Sequence, residues 1–441
     1  MEVGPLRIAM LSVHSCPVGE LGTRDTGGMS VNVRELAREL GRRGHLVDIY
    51  TRLHGPSCDK VVQLGANVRL VHLGVGDEDT SHRAALFPHL VDFFRELEQS
   101  RGTEGLRYDL IHSHYWLSGR VGQWARGRWR VPHLLMFHTL GAVKNALFHR
   151  QVEPELRIAT EAHLAARCDR VLAASEREKE QLMLFCGVPC EAVGVVPCGV
   201  DLDRFRPVDK AQARDQLGFD PDERVVLYVG RFAPLKGLDR LLEAVACLRR
   251  SGGLPRLIIV GGDDEYTPAS RELMRLSRRF GITDSVRFVG RVDQEHLRLY
   301  YSAADVVALP SHYESFGLVA LESLACGTPV VTTPVGAMES IIRQGETGYV
   351  VHDASPAILA WAIEAFLHPV KAALVDAIRA SVLDRSWSGV ASAMMVEYSL
   401  LLEKKQPERT RDRPAEVPDV HMNSLIQHEL SLGVGKPGGT T

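Results

Sequence analysis

The sequence predicts an α/β protein made of two doubly wound, Rossmann-like parallel sheets facing across a cleft, and three observations carry the prediction. Short apolar runs of strand length alternate with helical-period segments along the chain, which argues against a sandwich or a bundle. A Pro- and Gly-bearing turn segment, Val196-Pro197-Cys198-Gly199 to Arg206-Pro207, interrupts the alternation near the middle. At 441 residues the chain is long for one core. It suits two domains of about 200 residues each and a tail.

In the first half, strands are expected near Arg7–Val13, Val47–Thr51, Val68–His72, Leu110–Ser113, Leu134–Phe137, Arg170–Ala174 and Val193–Val196. In the second they are expected near Val225–Val229, Arg256–Val260, Ser285–Val289, Val306–Leu309, Val330–Thr332 and Gly348–Val350, with helices in the gaps. The turn segment divides residues 1–200 from residues 201–385. Trp387–Lys404 reads as a long apolar-periodic helix, and residues 386–405 are expected to pack back on the first domain. Residues 406–441 carry four prolines, mixed charge and a Gly-Gly-Thr-Thr end, so a disordered tail is expected, with a short helix over Met422–Leu432 as the alternative.

Composition excludes several function classes. A formal charge of −3 gives no electrostatic case for nucleic acid or an anionic membrane surface. No apolar stretch reaches transmembrane length, and Met1–Pro5 runs straight into a strand without a signal-peptide pattern. A cytoplasmic protein is the expectation. Eight cysteines are scattered without paired C-x2-C motifs and read as reduced thiols. Cys186, Cys190 and Cys198 lack a fourth ligand at zinc spacing, so no metal site is assigned. His112 and His114 alternate on a strand and share one side, where packing or a ligand is the commoner use of such a pair.

The chemistry is concentrated in Glu314-Ser-Phe-Gly-Leu-Val-Ala-Leu-Glu322. The apolar run Ala304–Leu309, closed by Pro310, is a buried strand, and Leu318, Leu321, Leu324 and Ala325 recur at helical spacing until Gly327 and Pro329. Glu314 therefore sits at the carboxyl end of a strand, where open α/β sheets bind ligands, and Glu322 lies about two turns into the following helix. Upstream, the strand ending at Gly230 delivers Arg231 and, five residues on, Lys236. A planar fork and a point charge suit a diphosphate. Either cation alone is an ordinary surface charge; the four charged residues together, all at strand ends, point to a site.

In the first half, Asp25-Thr-Gly-Gly28-Met-Ser30 is a glycine loop at a helix N-terminus, able to offer backbone N–H groups to a phosphate. It is not a G-x-G-x-x-G fingerprint. His112–Gly119 and Phe137–Asn145 likewise bring polar residues to strand ends and so to the cleft wall.

These strings resemble the retaining GT-B glycosyltransferases of family 4 from Arg7 to about Lys404, most closely the subgroup of inositol-phosphate N-acetylglucosaminyltransferases and sucrose-phosphate synthases. The matching segments are S-V-H from Ser12, D-T-G-G-M from Asp25, H-S-H-Y-W-L-S-G from His112, H-T-L-G-A-V-K-N from His138, V-G-R-F-A-P-L-K-G from Val229 and the Glu314–Val331 run. The resemblance implies a nucleotide-sugar domain in the second half, where Arg231 and Lys236 neutralise the donor diphosphate, Glu314 holds the sugar hydroxyls, Glu322 takes the ribose hydroxyls and Thr328 lies near the phosphates. It implies an acceptor domain in the first half: Gly28 on the donor side, His14, Asp25, Tyr115, Thr139 and Arg157 as contacting positions, Arg83 at the acceptor phosphate, and His138 beside the reacting carbon. The chain departs from the subgroup at Ser30, where the inositol-phosphate enzymes have Asn, at Arg83 for Lys, and at Glu20-Leu21 for Gln-Pro.

The reaction so implied is retaining transfer of a hexosyl group from a UDP-sugar to a hydroxyl, with inositol 3-phosphate or another phosphorylated sugar or polyol as acceptor. The nucleotide sugar is a substrate, no cofactor is expected, and two cations already fill the role a metal would take. A homodimer is compatible with this reading. The alternatives are a sugar-nucleotide epimerase or hydrolase on the same scaffold, and a nucleotide-sugar-binding protein without catalysis.

Overall fold

Two separate parallel sheets form the frame in the computed structural model, which describes residues 4–20, 26–54, 58–75, 83–148, 152–250, 255–262, 267–367 and 372–403. The first sheet holds β1 (Arg7–Leu11), β2 (Leu46–Arg52), β3 (Val61–Gly65), β4 (Val68–Leu73), β5 (Leu110–His114), β6 (His133–Met136), β7 (Arg170–Ala173) and β8 (Val193–Val195). Its order is β3-β4-β2-β1-β5-β6-β7-β8. The second holds β9 (Val225–Val229), β10 (Arg256–Val260), β11 (Val286–Gly290), β12 (Val306–Leu309), β13 (Val330–Thr332) and β14 (Gly348–Val350), in the order β11-β10-β9-β12-β13-β14. The fold class read from the sequence is the one observed.

Strand β3 is the exception to the sequence reading. It pairs antiparallel with β4 at the sheet edge, and its residues alternate between exposed and half-buried. Such an edge strand lacks the continuous apolar run that marks a buried parallel strand. Asn67, at φ 65°, supplies the left-handed residue in the tight turn between the two.

Chain order reverses direction at β1/β5 in the first sheet and at β9/β12 in the second. A crevice opens at such a point because the helices that follow the two neighbouring strands go to opposite faces. The loops after β1, β5, β9 and β12 carry His14, Tyr115, Arg231 and Glu314, so topology alone gathers these side chains at the two crevices.

Apolar faces fix the layers. In the helix Gly28–Arg42, Val33, Leu36, Ala37 and Leu40 are fully buried at helical spacing. One continuous apolar cluster runs from β1 and β2 through Val196, Cys198 and Val200 to Tyr301, Leu321 and Leu324 of the second half, so the halves share a core.

The chain passes between the halves twice. Beyond the first crossing, the Val200 amide donates to the Arg385 carbonyl at 2.9 Å, and Val200 and Ser386 form an isolated β-bridge at the return. The helix Trp387–Glu403 then lies on the first half. Arg170 Nε donates to Glu397 Oε2 at 2.6 Å, and the Tyr398 hydroxyl and His112 Nδ1 share a hydrogen bond at 2.8 Å. The tail read as disordered falls outside the described residues. Among those residues, no helix is long and apolar enough to cross a membrane.

Candidate active site in the cleft between the sheets

A cleft of about 340 Å³ lies between the carboxyl ends of the two sheets and is lined from both sides. The second half contributes Gly230, Arg231, Lys236, Glu314 and Glu322; the first contributes His14, Gly28, Tyr115, His138 and Thr139.

Local sequence explains how the cations arrive. β9 ends at Val229, and the 3-10 turn Pro234–Lys236 turns the chain back toward the sheet. Gly237 has φ +64°, and a Cβ there would lie 2.0 Å from the Pro310 carbonyl oxygen, so only glycine permits this approach. The Leu235 carbonyl accepts from the amides of His312 at 2.8 Å and Tyr313 at 3.4 Å, binding the two loops into one unit. Across that unit Lys236 Nζ meets Glu314 Oε2 at 2.5 Å, with both side chains 23% exposed. Both partners of the pair therefore keep part of their surface in solvent.

Gly317, at φ +110°, opens the helix Leu318–Ala325, on which Glu322 is buried. The Tyr301 hydroxyl donates to Glu322 Oε2 at 2.6 Å. Burial outweighs that bond and pushes the Glu322 carboxyl up to about 7.

On the opposite wall, the glycine loop starts the helix Gly28–Arg42, and a Cβ on Gly28 would sit 3.3 Å from Leu318 Cδ1 of the other half. Ser15 Oγ and Ser30 Oγ share a hydrogen bond at 2.5 Å, and the His14 ring lies 4.3 Å from the Tyr115 ring. Tyr115 at φ 78° and His138 at φ 61° are non-glycine residues in the left-handed region, each at a strand end facing the cleft. Such strain persists only where surroundings over-determine it. For His138 the surroundings include His114, whose Nδ1 lies 2.9 Å from His138 Nε2. Burial lowers both imidazoles, His138 to about 3, so both rings are neutral. His112 lies behind them, its ring 4.2 Å from that of His114.

Two residues assigned by resemblance stand apart from the cleft wall. Thr328 is buried, its hydroxyl donates to the Tyr301 carbonyl at 2.7 Å, and it is not among the residues that line the cleft. Arg157 is 1% exposed. It bonds Glu161 at 2.6 Å, Glu153 at 2.8 Å and the Thr139 carbonyl and hydroxyl at 2.8 and 2.9 Å, with its Cζ 4.9 Å from the Tyr115 ring centroid. It props the Tyr115 and Thr139 wall from behind. Asp25 and the side chain of Arg83 fall outside the described residues.

The sequence reading missed Arg291, which lines the cleft and pairs with Glu20 at 2.9 Å. The signal was present: Val289-Gly290-Arg291 repeats the Val229-Gly230-Arg231 pattern after a strand. Among the described residues, no group of three or more His, Cys, Asp or Glu could hold a metal ion. The eight cysteines are free.

Comparison with known proteins agrees with this arrangement. Residues 26–204 match the model of Glycosyltransferase Family 4, and residues 209–373 match Glycosyl transferases group 1. The chain is 40% identical over 423 residues to D-inositol 3-phosphate glycosyltransferase 2 of Catenulispora acidiphila, covering 93% of this chain and 99% of that one. It is also 40% identical to the D-inositol 3-phosphate glycosyltransferase of Rhodococcus erythropolis, over 89% of this chain and 91% of the relative. Among solved structures, sucrose-phosphate synthase from Thermosynechococcus elongatus superimposes with a TM-score of 0.82 at 33% identity, over 91% of this chain and all (100%) of that one. Anabaena HepE in complex with UDP-glucose shares the fold at a TM-score of 0.68 and 20% identity, over 90% of this chain and 100% of that one. The chain therefore belongs to the GT-B glycosyltransferases of family 4, in the group of the D-inositol 3-phosphate glycosyltransferases, and is a glycosyltransferase.

Proposed function

We propose that the protein transfers a hexosyl group from a UDP-sugar to a hydroxyl of a phosphorylated polyol or sugar, inositol 3-phosphate being the first candidate, with retention at the anomeric carbon. The observation that carries the reading is the Lys236–Glu314 pair, with Arg231 and Glu322 lining the same cleft. As the anomeric C–O bond breaks, negative charge grows on the leaving diphosphate. Arg231 and Lys236 stabilise it in a site partly closed to water. The acceptor hydroxyl attacks from the side the diphosphate leaves, and a diphosphate oxygen takes the acceptor proton, so no side chain has to serve as base. The neutral imidazole of His138 fits this, since a neutral wall beside the forming oxocarbenium ion does not repel it. Glu314 and Glu322 have separate tasks at the sugar hydroxyls and the ribose, unlike the opposed carboxylates of a glycosidase. The curated relatives' names support the acceptor class; the UDP-glucose complex of HepE, of the same fold, supports the donor class.

The test is incubation of the purified protein with UDP- and GDP-sugars against inositol 3-phosphate, fructose 6-phosphate and lipid acceptors, read by mass spectrometry. A glycosylated phospho-acceptor is expected. Donor consumed equally well without acceptor would turn the reading toward an epimerase or hydrolase, and tight donor binding without any product would turn it toward a binding protein.

A further inference from the structure

The segment His138-Thr139-Leu140-Gly141 is held residue by residue. His138 Nε2 meets His114 Nδ1 at 2.9 Å, Arg157 donates to the Thr139 carbonyl at 2.8 Å, and the Gly141 amide donates to Glu161 Oε2 at 2.8 Å. The apolar cluster that holds Leu140 of the same segment also takes in one residue of the other half of the molecule, Tyr313. Tyr313 precedes Glu314 and belongs to the loop unit knit by the Leu235 carbonyl. Its ring packs on the apolar cluster that contains Tyr115, Leu140 and Val143, and every other described residue of that cluster comes from the first half.

We propose that Tyr313 is a positioning residue that latches the Lys236–Glu314 loop of one half to the His138–Gly141 wall of the other, and so sets the distance between the donor's leaving group and the reacting face. This rests on the transfer reading above. Its physical basis is that Tyr313 sits between two segments already rigid within their own halves. Inserting one ring from the donor loop into that first-half cluster removes the freedom that remains between them. Misplacement of reacting groups by about 1 Å costs on the order of 100-fold in rate, so a latch acts on turnover rather than on affinity.

Tyr313→Phe keeps the ring and removes the hydroxyl; Tyr313→Ala removes both. For Tyr313→Ala, transfer kcat is expected to fall about 100-fold, with UDP affinity by calorimetry within about threefold of wild type. The share of consumed donor that is hydrolysed instead of transferred should rise, and the radius of gyration of the ligand-free protein in solution should increase. Tyr313→Phe, which keeps the packed ring, should stay close to wild type on each measure. The proposal is overturned by an unchanged kcat in Tyr313→Ala, by a kcat loss matched by an equal loss of UDP affinity, or by an unchanged radius of gyration. Should wild type transfer nothing from any UDP-sugar, it is the transfer reading that has failed, and the scattering comparison still decides whether Tyr313 joins the halves.

Discussion

His114 Nδ1 lies 2.9 Å from His138 Nε2 in a setting where neither ring can take up a proton without a large penalty. Burial also lowers His112 and His133 to about 3. The unfolded chain, with ordinary imidazoles near 6.5, therefore binds more protons than the folded protein between pH 6.5 and about 3. Stability rises with pH across that window and is lost as pH falls through it. Glu178 and Glu322, raised by burial from 4.5 to about 7, act in the opposite sense between those values because the folded state keeps their protons. Thermal unfolding should show a shallow loss from pH 7 to 4.5 and a steep one below. A melting temperature flat down to pH 3.5 would contradict the depressed imidazoles.

Lys236→Ala removes the point charge proposed to meet the leaving diphosphate. Turnover should drop by about 10²–10³-fold, while the lost, partly solvated ion pair costs at most about 1 kcal/mol of stability. Steady-state kinetics with a circular-dichroism melt on the same sample checks both; near-normal turnover would remove Lys236 from the chemistry.

In its proposed place at the ribose, Glu322 offers a pH signature. Its carboxyl lies near 7, and the ionised form is the better acceptor for ribose hydroxyls. UDP affinity should therefore weaken as pH drops below about 7, by up to about tenfold per unit. Glu322→Gln has no such titration, so the difference between the two pH profiles isolates this group from the phosphate's own ionisation. Parallel profiles would mean that the carboxylate does not report on the ribose.

Gly237→Ala forces a Cβ to 2.0 Å from the Pro310 carbonyl at a φ of +64°. A cost of about 1–3 kcal/mol is expected from the backbone conformation alone. Because Lys236 is the adjacent residue, activity should fall further than the stability loss explains. Retention of full activity at unchanged melting temperature would show that the loop tolerates displacement.

What the sequence made legible was the part governed by local chemistry. Apolar runs located thirteen strands, and the Glu314–Glu322 spacing put both carboxylates beside the cleft, because strand ends and helix turns are set by neighbours a few positions away. Long-range pairing was less visible. Strand β3 depends on its hairpin with β4, and Arg291 faces the cleft only because β11 joins the same sheet as β9. Thr328 and Arg157 show the converse: a motif position was recognisable, but the hydroxyl is taken by the Tyr301 carbonyl and the guanidinium by Glu161 and Thr139. Those competing partners lie as far as 27 residues away in sequence, a separation that residue type does not reveal.

The bond between Val200 and Arg385 has a mechanical implication for the whole molecule. Bodies joined by one tether can swivel in any direction. Here two strands of backbone leave and re-enter side by side, and the line through them is an axle. Rotation about that line strains neither crossing, whereas a twist across it would pull the Val200–Arg385 bond apart.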